Sequence, residues 1–204
     1  MLALRHTHPR FSLRAWCWRL KWWLLITATG LYLCGNGLYI FAKANLAQYL
    51  ISRAWQQSLI TLQQQPPWPW ADTYPVARLN IGERDWYVLA GANGRNLAFA
   101  PTHLGTTALP GNPGHSVIVG HRDTQFNSLK SLRTGDIISV QNLQTSQRYR
   151  VTSLRIADVE QLRYWQSDYQ DDTHQASLTL ITCYPFDSIL PNPRYRFIAS
   201  AIAI

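Results

Sequence analysis

One cysteine, Cys183, ends the run Ser177-Leu178-Thr179-Leu180-Ile181-Thr182-Cys183, and no other cysteine occurs beyond residue 34. The segment Gly120-His121-Arg122-Asp123 lies about sixty residues upstream, and Arg194 and Arg196 follow the cysteine closely. A thiol titrates at about 8.5, so only a few per cent is thiolate at neutral pH. A histidine that meets it in space raises that fraction, or later gives a proton to a leaving amine. An arginine stays charged and cannot act as a base, but it can hydrogen-bond a developing oxyanion or orient a carbonyl. These three residue types supply a nucleophile, an acid/base and a charge stabiliser.

The elements that must position them read as strands. From Val76 onward the runs VARLNI, DWYVLA, HSVIVGH, DIISVQ, RYRVTSLRI, ASLTLITC and RFIASAIAI are β-branched or aromatic, with Gly, Pro, Asn and Asp between them. Seven or eight such runs imply an all-β sandwich or barrel. Asn127 to Arg133 reads as a short helical turn at most. Cys183 then falls where a strand stops. Alternation places Arg194 and Arg196 on one face of a strand, so both can line the cleft.

Upstream, residues 22–42 carry no charge and are bracketed by Lys21 and Lys43. These 21 residues make a helix of about 31 Å, enough to cross a hydrocarbon core. Trp22, Trp23, Tyr39 and Phe41 suit interfacial anchors. Five Lys/Arg precede the span, which predicts a cytoplasmic N-terminus and an exported C-terminal part. The span is long for a cleaved signal peptide, and Gly35-Asn36-Gly37 is a poor cleavage site. Cys17 is then cytoplasmic, Cys34 lies in the membrane, and Cys183 is the lone exported thiol, a flag for reactivity rather than for a disulfide. Residues 45–65 repeat Leu46, Tyr49, Leu50, Ala54, Leu59 and Leu62 at helical spacing, predicting a juxtamembrane helix. The segment PPWPW (Pro66 to Trp70) ends it as a stiff linker. The expected organisation is a basic tail over 1–21, an anchor over 22–42, a helix and linker over 43–75, and a folded domain over 76–204.

The formal charge of +8 does not point to nucleic acid. Seven basic and no acidic residues lie in 1–60, whereas 61–204 holds twelve basic and eleven acidic ones. The folded part is nearly neutral and shows no basic stripe interleaved with aromatics.

At this point the residues resemble a family. TLITC (Thr179–Cys183) matches the TLxTC nucleophile strand of sortases, membrane-anchored cysteine transpeptidases. Ala108–Val140, ALPGNPGHSVIVGHRDTQFNSLKSLRTGDIISV, matches their histidine region, a GH followed by F-x-x-L-x-x-L-x-x-GD. Arg196–Ala201, RFIASA, matches the terminal strand that opens with the family's arginine. CYPF after the cysteine and HRDTQF look most like the proteobacterial class GN sortases. The resemblance implies a closed β-barrel of about eight strands with short helices, behind an N-terminal transmembrane helix and a juxtamembrane helix. It implies Cys183 as nucleophile and His121 as general acid/base, with Arg196 preferred over Arg194 as the catalytic arginine. It implies cleavage of the Thr–Gly bond of an LPXTG-like sorting signal on a secreted protein, a thioacyl intermediate, and transfer to an amine acceptor, without a cofactor. Thr182, Asp123, His103 and Arg194 are expected to border the substrate. Asp123 either orients His121 or pairs with Arg122 in a turn. His115 and His174 are expected to be surface or structural residues, and Asp168, Asp171 and Asp172 a solvated loop rather than a metal site.

Two other readings remain from the residues. An L,D-transpeptidase is also a β-rich Cys–His acyl transferase, but its S-x-G-C-x-R pattern is absent around Thr182-Cys183-Tyr184. The other is a membrane-tethered β-domain that binds a partner, with Cys183 merely buried.

Overall fold

Ile81 and Arg84 pair across the two-residue turn Gly82-Glu83, and Gly82 supplies the left-handed backbone (φ +61°) that the turn requires. This hairpin joins β1 (Pro75–Ile81) to β2 (Arg84–Ala90). The chain continues through a one-turn helix α2 (Gly94–Leu97), the two-residue β3 (Thr102–His103), β4 (His115–Val119) and a 3-10 turn at Asn127–Ser131. It then forms β5 (Ile137–Gln141), β6 (Ser146–Asp158), β7 (Ser177–Tyr184) and β8 (Tyr195–Ala203). The computed structural model describes residues 13–160, 175–188 and 193–204.

The eight strands close into a barrel in the order β1-β2-β3-β4-β7-β8-β6-β5. All neighbours are antiparallel except β2 with β3 and β4 with β7. A parallel neighbour needs a long crossover. Between β4 and β7 that crossover is the 3-10 turn, β5 and β6, which explains why the histidine and the cysteine lie so far apart in the chain. The seven strand runs read from the sequence are all present. The eighth strand, β3, has too few residues to show any alternation.

Alternation sorts the side chains. Leu178 and Leu180 of β7, Ala199 and Ala201 of β8, Ile138 and Val140 of β5, and Tyr149 and Val151 of β6 fill the barrel. Phe126 and Leu129, flanking the start of the 3-10 turn, join this core, both fully buried. Each fully buried leucine, isoleucine, valine or phenylalanine among them contributes about 1.5–3 kcal/mol. The Tyr149 hydroxyl accepts a hydrogen bond from the Gly111 amide at 3.2 Å, and burial raises its pKa.

Two compact units divide the chain, residues 1–45 and residues 46–204. A single helix, α1 (Leu13–Thr61), contributes to both, where the sequence suggested two helices. In the first unit the apolar side chains of the helix, from Trp22 to Phe41, are exposed, and this helix is long and apolar enough to cross a membrane. In the second unit the last turns of α1 pack on the barrel wall. Ile51 joins Leu89 and Ala100 in a small core flanked by Trp68, Tyr87 and Phe99. Gln48 Nε2 donates to the Phe99 carbonyl at 2.6 Å, and Ser52 Oγ lies 3.1 Å from the Tyr87 hydroxyl.

Candidate active site

The site is a consequence of register. In the parallel pair β4/β7, His115 lies beside Ser177 and every following pair keeps the same offset, ending with Val119 beside Ile181. The ladder stops there, two residues before His121 and Cys183. In the antiparallel pair β7/β8, Cys183 lies directly opposite Arg196, and β6 adds Ala157 on the far side of Arg196. Cys183, Arg196 and Ala157 thus occupy one row across three strands, β7, β8 and β6. Neighbouring strands run about 4.8 Å apart, and directly opposed residues bring their Cβ atoms to about 5 Å. Leu178 and Leu180 face the core, so Cys183, of opposite parity, faces outward. Its thiol is free and half-buried, and His121 is exposed.

β4 ends before His121, so other bonds carry the histidine the last two residues. The Gly120 amide donates to the Ile181 carbonyl at 3.1 Å, and Thr182 Oγ1 donates to the Gly120 carbonyl at 2.8 Å. The His121 amide donates to Gln125 Oε1 at 3.0 Å, and its carbonyl accepts from the Phe126 amide at 2.9 Å. Gly120 must be glycine for steric reasons, since a Cβ there would come within 2.8 Å of the buried Phe126 ring.

Arg196 is half-buried, and its guanidinium Nη1 donates to its neighbours' carbonyls, at Tyr195 (3.0 Å) and Pro193. Arg194 behaves differently from the expectation of a shared strand face. β8 begins at Tyr195, so residue 194 precedes the strand. Its Nε donates to Asp158 Oδ2, with the side chain 68% exposed. The Glu160 amide first, and Arg194 second, hold the Asp158 carboxyl below the usual carboxylate range.

Three expected substrate contacts are corrected by burial or bonding. Thr182 is 2% exposed and faces inward, where its hydroxyl serves the Gly120 carbonyl. His103 is 4% exposed, with Nε2 lying 3.0 Å from the Ala108 carbonyl and 3.1 Å from Thr107 Oγ1. The Thr107 hydroxyl proton goes to the Leu104 carbonyl, so Nε2 must carry the proton and donate to both oxygens. Burial lowers the pKa of this imidazole. Asp123 takes the turn-pairing option, its Oδ1 accepting from Arg122 Nε at 3.2 Å. His115 is structural, with Nδ1 2.9 Å from Ser177 Oγ. His174 and the acidic residues Asp168, Asp171 and Asp172 lie outside the described residues. Sequence reasoning missed Gln125 and the extent of the Arg122 bonds. The glycine immediately before the histidine was the available signal that this turn is tightly packed.

A pocket of about 550 Å³ lies elsewhere, beside the β5–β6 turn at the other end of β6 from Asp158. Its buried Asn142 spends its amide on the Pro110 carbonyl and Asn112, and its oxygen on the amides of Gln144 and Thr145. It is a loop anchor.

The closed barrel thus carries a half-buried thiol on its outer face, an arginine opposite it on β8 and a histidine two residues past the end of β4. Residues 77–203 match the family model described as the sortase domain, and the chain belongs to the sortase family. Among solved structures it resembles sortase C-1 from Actinomyces oris, with 27% identity over 64% of this chain and 74% of that one (TM-score 0.55). It also resembles sortase C-1 from Streptococcus pneumoniae, with 25% identity over 64% and 67% of the two chains (TM-score 0.55). The Clostridium perfringens sortase D5 transpeptidase shares the fold at 16% identity, covering 78% of this chain and 99% of that one (TM-score 0.60). No curated protein matches the sequence. The family match speaks against the L,D-transpeptidase alternative.

Proposed function

We propose that the chain is a membrane-anchored transpeptidase that cleaves an LPXTG-like sorting signal, with Cys183 as nucleophile, His121 as general acid/base and Arg196 as the charge stabiliser. The observations that support this reading are the opposition of Cys183 and Arg196 across β7 and β8, and the hydrogen bonds that tie Gly120, the residue before His121, to Ile181 and Thr182.

The thiolate of Cys183 attacks the carbonyl carbon of the Thr–Gly bond, forming a C–S bond while the C–N bond breaks. His121 gives its proton to the departing glycine amine. The Arg196 guanidinium leaves its backbone carbonyls and donates to the oxyanion, which it reaches from the strand opposite. An acceptor amine then attacks the thioester, its proton passes to His121, and the sulfur leaves as thiolate. Two residues back from Cys183, the half-buried Ile181 and its β4 neighbour Val119 form an apolar strip suited to the leucine of such a signal. Arg194, held by Asp158, borders the site without entering the row.

The charge-free stretch 22–42 acts as a single inner-membrane anchor, with residues 1–21 cytoplasmic, 43–75 as connecting helix and linker, and the catalytic domain 76–204 periplasmic. Substrates retained at the same membrane then meet the enzyme at raised effective concentration. The CYPF and HRDTQF segments support placement among the proteobacterial class GN sortases.

The decisive test is peptide cleavage by the full-length protein and by Cys183→Ala. Cleavage and a thioacyl adduct should vanish in the variant, with circular dichroism unchanged. Equal cleavage by both proteins would end this reading, and a wild type that binds the peptide without cleaving it would leave a binding module.

A further inference from the structure

Arg122 is a cation with almost no access to water. Its side chain is 7% exposed, whereas such residues are seldom buried unless paired. Burying a guanidinium costs several kcal/mol unless its donors are satisfied. Here the donors reach across the fold. Nη1 donates to the Pro185 carbonyl at 2.9 Å and Nη2 to the Ser188 carbonyl, while Nε takes Asp123 Oδ1 at 3.2 Å. The two carbonyls belong to the loop that begins two residues after Cys183. The guanidinium belongs to the residue that follows His121. On the surface Lys130 reaches Asp187 of the same loop at 2.8 Å, but that pair is 55% and 83% exposed, and screening leaves it little strength.

We infer that Arg122 is a positioning residue that fixes the His121 turn against the Cys183 loop by bridging them with its planar fork. The need for it follows from the topology. The β4/β7 ladder ends at Val119 and Ile181, two residues short of His121 and Cys183. Beyond that point the two chains would splay, and the imidazole and sulfur would lose a fixed separation. A guanidinium, whose donors lie along the edges of one rigid plane, spans two carbonyls at a set spacing. An ammonium acts as a point charge and does not. Through its bonds to the Pro185 and Ser188 carbonyls, Arg122 acts on the two backbones.

This inference rests on the His121–Cys183 assignment above, and the test separates the two. Full-length protein in detergent would be treated with iodoacetamide, and alkylation of the Cys183 peptide followed by mass spectrometry from about pH 5 to about pH 9, where imidazole and thiol both titrate. Wild type and His121→Gln should give different profiles. If they coincide, the catalytic assignment fails. If they differ, Arg122→Gln should give the His121→Gln profile, and Arg122→Lys should fall between it and wild type. In peptide cleavage both Arg122 variants should lower kcat by about tenfold or more, with KM within about twofold, since small misplacements of catalytic groups are expensive. A folded Arg122→Gln or Arg122→Lys with the wild-type profile and kcat would overturn the inference. So would loss of the fold in both variants, which would make Arg122 a stability residue alone.

Discussion

The two sides of the site are built by different means. Cys183 and Arg196 are placed by backbone ladders, as opposed residues of β7 and β8 whose register is fixed along eight consecutive pairs. His121 lies beyond the last pair of its own ladder. It is held by a threonine hydroxyl, a glutamine amide, an arginine fork and the contact of Gly120 with Phe126. A ladder tolerates side-chain change, because its bonds are made by the main chain. A turn held by side chains does not. The difference predicts that substitutions near Cys183 and Arg196 act through the chemistry of the replaced group alone, whereas substitutions around His121 act through displacement.

The largest expected effect lies on the ladder side. Arg196→Ala should lower kcat/KM for peptide cleavage by about 10²–10³-fold, as removal of an oxyanion donor does elsewhere, with little change in thermal stability. Arg194→Ala removes only the solvent-screened ion pair to Asp158 and should leave both thermal stability and activity close to wild type. Equal losses in the two variants would erase the distinction that the register draws between them. On the turn side, Gly120→Ala forces a methyl group against the Phe126 ring. We expect a loss of about 1–3 kcal/mol in urea denaturation, typical of overpacking. A fall of about tenfold in activity should accompany it, because the displaced residue is the one before His121. If Gly120→Ala is destabilised yet fully active, the turn is not the weak side of the site.

The same division explains what could be read from the sequence. The strand runs, the apolar helix and the Cys183 strand end are local patterns, and alternation or charge depletion over several residues suffices to reveal them. β3 could not be read, since Thr102–His103 is too short to alternate. Which of Arg196 and Arg194 stands opposite Cys183 is a fact of pairing rather than composition. Thr182 and His103 carry polar groups that look available in a sequence, and only the closed barrel shows that their partners are the Gly120 and Ala108 carbonyls. Arg122 was legible as a turn partner of Asp123, one residue away. Its bonds to residues 185 and 188 follow from the β4/β7 crossover, which no local signal reports.

A second histidine makes the smallest test, and it works as a control. His103 sits on β3, beside β4, but its ring is buried and its Nε2–H is committed to Ala108 and Thr107. Burial lowers its pKa, so the folded protein binds fewer protons at this ring than the unfolded chain over the interval below the ordinary histidine value. Stability therefore rises with pH across that interval. It is fully present above about pH 6.5, the unfolded value, and is lost progressively as the pH falls toward the folded one. His103→Gln keeps a donor near the two oxygens and removes the titration, so the urea midpoint should become flatter between about pH 5 and pH 7 while the Cys183 alkylation profile stays as in wild type. A change in that profile would mean that the β3 imidazole reaches the site, and that the ladder side is less self-sufficient than its register suggests.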